Sequence, residues 1–484
     1  MKLKRPKLNL LNQEVILRER EKSQIGFVPT RNRGEKYRKR FNINKRPGEL
    51  KVIDPSIGSW AEVINSGYQR FALAPGDYRG LGVLELKDRK ELTFYLMAQA
   101  DNLNPARIGV TNMAILEAVE LRNCEDIIFQ GLTHSGVGKV IQGVIAGIGS
   151  TVRDCNNIIW DNCLFENPAN GLFRIVNSNY NTFQDCVVRR APKIRGDRSG
   201  IGFQATRDSE SRGNVVVNCE FYDLTDGIGT PASYRPGTMP GPNDLVGPVP
   251  GLVIYGNHFY LTEYSYPDPV GRLTACAENA LDFKVGGTSW EEGDFVVVEN
   301  NIMHGYRPTD QECGGTGDAG GCITVHRNTK YLQITGNVMF DSGYGVAVFP
   351  EKADYPAEKV QDIVVTNNLF YRMVNAAGNT TVNSIALRSA VDDVVFWNNT
   401  VIDAAVPYFR KANTTLLAEG NVYLDTGKLE DPHDKRSLYG SSVIDGLADY
   451  RIKRFRIAPL SNKEVDVPVF YGAAPTNERN YKLE

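Results

Sequence analysis

Short apolar runs recur along the chain between Cys124 and Tyr423, and each is followed by a similar polar turn. In each run, mostly β-branched residues precede a polar or Gly position and then Cys or Asn, as in Ile158-Ile-Trp-Asp-Asn-Cys and Ile363-Val-Val-Thr-Asn-Asn. The runs are too short for helices and recur too often for alternating strand–helix units. They therefore predict a repeating all-β architecture built from many short strands.

The residue that closes each run defines a column of equivalent positions. Its members are Cys163, Cys186, Cys219, Asn257, Asn301, Asn337, Asn368, Asn399 and Asn421, at successive spacings of 23, 33, 38, 44, 36, 31, 31 and 22 residues. A unit that keeps a minimum length but expands freely is typical of one solenoid turn with variable loops. Because equivalent strands would stack in parallel register, we expect these asparagines to form one buried ladder.

This repeat resembles the right-handed parallel β-helix of the pectin-lyase-like superfamily, which includes polysaccharide lyases, some glycoside hydrolases and epimerases, and phage tailspikes. The resemblance covers roughly residues 50–460. It implies a solenoid of about ten coils. It does not define a reaction, because function depends on sites and not on folds.

Four regions are expected along the chain. They are a basic anchoring arm at 1–46, an N-terminal cap at 47–80, the parallel β-helix at 81–425, and a C-terminal cap and tail at 426–484. Within the cap, Ser59 is a candidate N-cap of a short helix. Long inserts are expected to interrupt the coils at 229–250, 260–277 and 303–320.

Charge is distributed unevenly along the chain. The net charge is −2, but residues 1–46 carry 15 Lys or Arg and 4 Glu, a balance of +11, which leaves −13 for the remainder. The arm lacks a recognisable nucleic-acid-binding module, so we expect it to bind a protein assembly partner and no nucleic acid. No apolar segment resembles a signal peptide or approaches the length of a membrane span, so neither is expected in this chain.

A second strand recurs in each coil, and its outward positions carry the candidate chemistry. The strands read Ile201-Gly-Phe-Gln, Leu281-Asp-Phe-Lys, Ile323-Thr-Val-His, Val346-Ala-Val-Phe and Ile385-Ala-Leu-Arg. The first and third positions are apolar and are expected to point inward, so the second and fourth point outward. The fourth positions then form an outward column of Gln204, Lys284, His326, Phe349 and Arg388.

This column suits the chemistry of a uronate lyase. In such an enzyme one cation pairs with the substrate carboxylate while a nearby base removes a proton, and crowded cations lower one another's pKa. The candidate catalytic residues are Lys284 as base, Arg388 as carboxylate clamp with Arg327 as the alternative clamp, and His326 and Asp282 beside them. In the alternative interpretation the adjacency is the ordinary polarity of an outer face, and Asp282 offsets the positive charges.

A hydrolase would instead need two carboxyl groups about 5–9 Å apart. Asp282 could be paired with Glu278 or with Asp310 of an insert, although the sequence does not place them. The candidate substrate-binding residues are Gln204, Arg327, Tyr264, Tyr266, Trp290 and Tyr306, the aromatic ones as stacking platforms for sugar rings. No metal or cofactor is expected; calcium is left open, although no calcium motif is present.

Three functions are compatible with the sequence. The favoured one is a virion appendage of the tailspike or fibre type, expected to be a homotrimer, that binds and could depolymerise an acidic surface polysaccharide of a host. The second is a free secreted polysaccharide lyase or hydrolase, and the third is a structural assembly protein without catalysis. The expected location is the virion surface or the extracellular space. Catalysis itself stays open, with β-elimination favoured over hydrolysis.

Overall fold

The computed structural model describes residues 33–97, 113–135, 139–141, 144–146, 149–166, 173–189, 199–232, 243–262, 278–306, 320–350, 359–373, 385–387, 391–410, 414–427, 434–435, 437–442, 456–459 and 465–466. These residues form three long β-sheets, called here sheets A, B and C. The described helices are one α-helix at Trp60–Ile64 and short 3-10 helices at Arg33–Lys36, Ile43–Lys45 and Arg79–Leu81. Within this described part, no helix combines the length and apolar character needed to cross a bilayer.

Sheet A contains 14 strands. They are Leu50–Ile53, Arg70–Leu73, Thr93–Leu96, Ile128–Gln130, Ile159–Asp161, Thr182–Gln184, Val215–Val217, Val253–Tyr255, Val296–Glu299, Lys330–Thr335, Gln361–Thr366, Asp392–Trp397, Leu416–Glu419 and Asp434–Lys435. Eleven of these, from Thr93–Leu96 to Leu416–Glu419, lie within the region expected to hold about ten coils.

Sheet B contains 15 strands and sheet C contains 11. The strands of sheet B are Gly76–Asp77, Ala114–Leu116, Thr133–Ser135, Leu164–Glu166, Val187–Arg189, Glu220–Tyr222, His258–Tyr260, Ile302–His304, Val338–Phe340, Leu369–Tyr371, Thr400–Ala404, Val422–Thr426, Leu438–Ser442, Arg456–Pro459 and Val465–Asp466. Those of sheet C are Leu84–Lys87, Val119–Arg122, Ser150–Arg153, Phe173–Val176, Ser199–Gln204, Asp226–Thr230, Asn279–Val285, Gly321–Asn328, Val346–Phe349, Ile385–Leu387 and Tyr408–Arg410. Lys139–Ile141 and Val144–Ala146 form a separate antiparallel hairpin.

Each coil contributes one strand to sheet C, then to sheet A, then to sheet B. In one coil, for example, these strands are Val119–Arg122, Ile128–Gln130 and Thr133–Ser135. Strands of successive coils pair in parallel, as Leu164 with Val187; only the last two pairings of sheet B are antiparallel. Parallel strands joined by crossovers take the right-handed sense. The predicted right-handed parallel β-helix is therefore confirmed.

The predicted asparagine ladder is also confirmed. Asn301, Asn337, Asn368 and Asn399 are fully buried, and the backbone N–H of each of the first three donates to Oδ1 of the next at 2.9–3.0 Å. The side-chain amide of each also donates to a main-chain carbonyl of the preceding coil at 2.9–3.0 Å. Because every amide is satisfied within the stack, this polar column can lie in the protein interior.

A stack of aromatic rings fills the first half of the core. Phe71, Phe94, Phe129, Trp160 and Phe183 are fully buried on successive strands of sheet A. Their ring centroids are 4.8, 5.4, 5.9 and 4.4 Å apart in that order, with nearly parallel planes. Equivalent positions in register therefore place like side chains on one another along the solenoid axis.

The segment expected to cap the solenoid contains the predicted helix and also three strands. Oγ of Ser59 accepts a hydrogen bond from the backbone N–H of Glu62 at 3.2 Å, which confirms Ser59 as the N-cap. Trp60 and Val63 of this helix are buried in the core. Leu50–Ile53 and Arg70–Leu73 already pair in parallel, so sheet A begins before residue 80.

The described part of the basic arm lies along the outer face of sheet A. We call residues 36–46 the strap. The ring of Tyr37 packs against that of Tyr255, with centroids 5.1 Å apart, and Arg38 forms an ion pair with Asp185. The backbone N–H of Lys39 donates to Oε1 of Gln184 at 3.0 Å. Nη2 of Arg46 donates to the carbonyl of Asp126 at 2.8 Å. This part of the arm therefore packs on its own β-helix, and residues 1–32 lie outside the described chain.

Candidate active site

The candidate site lies on the outer face of sheet C, on the strands Asn279–Val285 and Gly321–Asn328. Leu281 and Phe283 belong to the hydrophobic core, so the side chains between and after them face outward. On this face Asp282, Lys284 and His326 are only 5–8% exposed. These side chains therefore point away from the hydrophobic core, but they are buried and not exposed to solvent as the pattern predicted.

Asp282 stands between the two candidate bases. One oxygen, Oδ2, accepts a short hydrogen bond from Nζ of Lys284, and the other, Oδ1, lies 2.7 Å from Nε2 of His326. The sequence left open whether Asp282 offsets the positive charge of this column. The structure places its carboxylate in contact with both neighbours, so they are bridged rather than merely crowded together.

The two contacts decide the ionisation of this carboxyl group. Burial alone would raise the pKa of Asp282, but Lys284 and His326 hold the pKa well below its usual range. Asp282 is therefore ionised at neutral pH and can only accept hydrogen bonds. It follows that Nε2 of His326 carries the proton that it shares with Asp282.

A β-bulge interrupts the regular strand pairing at the position of Lys284. Phe283 pairs with Val325 and Val285 pairs with Asn328, so one strand places two residues opposite Lys284. One of these is Arg327, which has the left-handed φ of 55°. Oγ1 of Thr230 accepts from the backbone N–H of Lys284 at 3.0 Å and thereby fixes the irregular backbone from the preceding coil. Bulges of this kind re-aim side chains at the edges of functional sites.

A buried polar network beside the site was not recognised from the sequence. Oδ1 of Asn279 accepts from Oγ1 of Thr324 at 2.8 Å and from the hydroxyl of Tyr344 at 2.6 Å. Thr324 is the direct cross-strand partner of Asp282. The network joins three coils and so holds the backbone on which the carboxylate is mounted.

The other predicted substrate-binding residues lie in different surroundings. Oε1 of Gln204 accepts from Arg174, and Nη1 of Arg327 donates to the carbonyl of Ala232 at 2.8 Å. Trp290 is half-buried, whereas Tyr306 is fully buried in the core. The remaining predicted residues, Arg388, Tyr264 and Tyr266, lie outside the described residues, as do most positions of the three inserts.

Two histidines that are far apart in the sequence form a pair. Nε2 of His258 lies 2.9 Å from Nε2 of His304 on adjacent strands of sheet B. Burial lowers the pKa of both, that of His304 to about 3, so the pair is neutral at physiological pH. In-register stacking therefore brings these two distant positions of the sequence together.

The described residues contain no group of three or more His, Cys, Asp or Glu side chains that could hold a metal ion. The cysteines at the early ladder positions, Cys163, Cys186 and Cys219, are buried free thiols. The backbone N–H of Cys186 donates to Sγ of Cys219 at 3.3 Å, so the thiols take the place of amides in the stack.

Comparison with known proteins identifies similar folds at low sequence identity. No family model and no curated protein sequence matches the chain. Similar solved structures include the surface adhesin PfbA of Streptococcus pneumoniae (16% identity, 77% of this chain and 82% of that one, TM-score 0.47). A mannuronic-acid-specific polysaccharide family 6 lyase from human gut microbiota has 11% identity over 81% of this chain and 91% of its own, with a TM-score of 0.45.

A tailspike protein of an Escherichia coli bacteriophage is similar at 12% identity, over 80% of this chain and 61% of that one, with a TM-score of 0.38. The chain is a right-handed parallel β-helix on the strength of its own three sheets. Similarity at these levels carries no information about its ligand or reaction.

Proposed function

We propose that this β-helix binds an acidic polysaccharide on the outer face of sheet C and cleaves it by β-elimination. The observation that carries the proposal is the enclosed Asp282–Lys284–His326 cluster, in which a lysine and a histidine share one ionised carboxylate. Gly202 and Gly229 occupy the equivalent outward position on the two preceding coils. These two positions next to Asp282 therefore carry no side chain of their own over about 10 Å, two strand spacings, and the ring of Pro231 lies where a side chain at Gly202 would begin.

Each group has a defined role in this reaction. Lys284, in its amine form, accepts the proton next to the uronate carboxylate; the electron pair forms a carbon–carbon double bond, and the adjacent carbon–oxygen bond breaks. The departing oxygen takes up a proton from solvent. Asp282 orients the amine and stabilises the ammonium that forms, while His326 fixes the other carboxylate oxygen. Because an ammonium cannot accept a proton, activity should increase with pH.

Hydrolysis by two carboxylates fits the described residues less well. Glu278 precedes Asp282 by four residues in nearly extended chain, about 13 Å at roughly 3.3 Å per residue. The carboxyl pairs of glycosidases are about 5–9.5 Å apart. The low pKa of Asp282 also excludes it as a general acid at neutral pH.

The test is Lys284→Ala, assayed on polygalacturonate and alginate through the ultraviolet absorbance of unsaturated products. We expect cleavage to fall by about 100-fold or more, as for loss of a general base. Lys87→Ala is the matched control, because Lys87 is an exposed lysine on the same outward face of sheet C. If Lys284→Ala cleaves as fast as wild type, or wild type forms no unsaturated product, the proposed reaction is wrong.

We also propose that the protein serves as a homotrimeric virion appendage and that residues 1–32 carry the attachment. The strap occupies only part of the +11 arm, since residues 33–46 contribute +6 and residues 1–32 contribute +5. Deleting residues 1–32 should abolish association with the virion and leave folding, trimer mass and glycan cleavage intact. Retained association after the deletion would contradict this role for the segment.

A further inference from the structure

A cavity of about 310 Å³ lies at the corner where strands of sheet C end and strands of sheet A begin. This volume is within the range of small-molecule sites. Residues that line it include Val285, Gly286, Asn328, Lys330, Tyr331 and Gln361. Val285 and Asn328 follow Lys284 and His326 closely in the two site strands, so the cavity lies at the ends of the strands that carry the Asp282–Lys284–His326 cluster.

Lys330 gives this cavity its charge. It is the single Lys, Arg, Asp or Glu among the lining residues, and its side chain is half-buried. Within the described part of the chain, no carboxylate lies at ion-pairing distance from its ammonium group. The backbone N–H of Gly287 donates to the carbonyl of Lys330 at 2.8 Å, which holds its main chain against the neighbouring turn. The cavity therefore presents one uncompensated positive charge.

Tyr331 has a backbone conformation that its type rarely adopts. Nine described residues that precede equivalent core positions of sheet A have a left-handed φ, namely Glu91, Asp126, Asn157, Tyr180, Gly213, Gly251, Tyr331, Asp362 and Asp393. Six are Asp, Asn or Gly, which tolerate this conformation. The exceptions are Glu91, Tyr180 and Tyr331, and Tyr331 has a φ of 52°. Backbone strain of this kind is retained where the surroundings hold it and commonly marks a binding site.

The ring of Tyr331 is held in place from outside the cavity. Trp290 meets it edge to face, with ring centroids 5.7 Å apart and planes at 88°. Trp290 in turn packs against Phe295 at 5.5 Å. The sequence indicated Trp290 as a platform for sugar; in the structure it supports the aromatic ring that lines the cavity.

We infer that this corner cavity is a subsite for an acidic sugar residue of the bound polysaccharide, at a distance from the bond that is broken. Lys330 binds the carboxylate of that residue, and Tyr331 contacts the face of its ring. The inference rests on the proposed function, because it assigns the cavity to the same glycan chain. It adds that longer oligouronates bind more tightly than short ones because they reach this subsite.

The test measures binding of digalacturonate and hexagalacturonate by calorimetry. Every variant carries Lys284→Ala, which is expected to prevent cleavage, and the protein with this change alone is called the parent. The parent should bind the hexamer more tightly than the dimer. Lys330→Ala and Tyr331→Asn should each weaken hexamer binding by about tenfold and leave dimer binding unchanged. Tyr331→Asn should also unfold at the same temperature as the parent or a higher one, because asparagine relieves the strained backbone.

Tyr180→Asn is the matched control, since Tyr180 has the same left-handed φ in an earlier coil and does not line the cavity. It should change thermal stability in the same direction and leave binding unaltered. If the parent prefers the hexamer and both cavity variants keep that preference, the subsite is wrong and the proposed function stands. If wild type and parent bind neither oligomer, both the subsite and the acidic-glycan function are wrong.

Discussion

Replacing Asn368 by leucine tests the ladder at its centre. Oδ1 of Asn368 accepts from the backbone N–H and the side-chain amide of Asn337, at 2.9 and 3.0 Å. Its own amide donates to the carbonyl of Ile334 and to Oδ1 of Asn399, both at 3.0 Å. Leucine has a similar size, so the change removes these hydrogen bonds without opening a large cavity.

The magnitude follows from the groups that lose a partner. The N–H of Asn337 and the carbonyl of Ile334 each lose a buried hydrogen bond, and each such orphan costs about 1–3 kcal/mol. Burial of the leucine side chain offsets about 2 kcal/mol. With about 2 kcal/mol for each of the two orphaned groups, we expect Asn368→Leu to lower the free energy of unfolding by about 2 kcal/mol.

Denaturant unfolding measures the overall loss of unfolding free energy, and amide hydrogen exchange shows which coils are destabilised. Exchange should accelerate at Asn337, whose N–H loses its acceptor, and less at coils far along the solenoid. Asn368→Cys is the comparison, because a thiol already accepts the equivalent N–H at Cys219. Asn368→Cys should therefore lose less unfolding free energy than Asn368→Leu. A loss below about 1 kcal/mol for leucine, or no difference between the two variants, would refute the hydrogen-bond explanation.

Two further predictions concern pH and the strap. His134 is buried among phenylalanines, and burial lowers its pKa to about 3, so below pH 6.5 the unfolded chain gains a proton that the folded chain excludes. As the pH is lowered below 6.5, the free energy of unfolding of the wild type should therefore drop by up to about 1.4 kcal/mol per pH unit more than that of His134→Phe. Above pH 7 the difference between the two proteins should stay constant. Unfolding midpoints measured over this pH range check the prediction. Arg38→Ala should lower stability by about 1–2 kcal/mol and speed proteolysis within residues 36–46, because it leaves Asp185 without its cation. Arg40→Ala, which removes an exposed pair with Glu35, should have little effect; equal effects of the two changes would contradict the prediction.

The solenoid and its ladder could be predicted because both depend on a period that is visible in one dimension. Asn301 and Asn337 occupy equivalent positions whatever the length of the loop between them, and parallel stacking turns equivalence into contact. The same argument placed Lys284 and His326 on the outer face. It could not place the strap, because Arg38 and Asp185 are 147 residues apart and share no repeat.

The chemistry of the site depends on departures from that period, which is why less of it could be predicted. Strict alternation predicts Lys284 and His326 as neighbours, but it shows neither the bulge beside them nor that the carboxylate of Asp282 bridges the two side chains. Tyr331 is a similar case: the sequence pattern shows an ordinary residue before a strand, and only its left-handed backbone shows that it is held under strain. A sequence repeat predicts where the equivalent residues of each coil lie, whereas functional sites commonly depend on local departures from the repeat, such as bulges and strained backbone. The bulge and the left-handed tyrosine lie in the same two coils, which is the physical reason to assign the cluster and the corner cavity to one glycan.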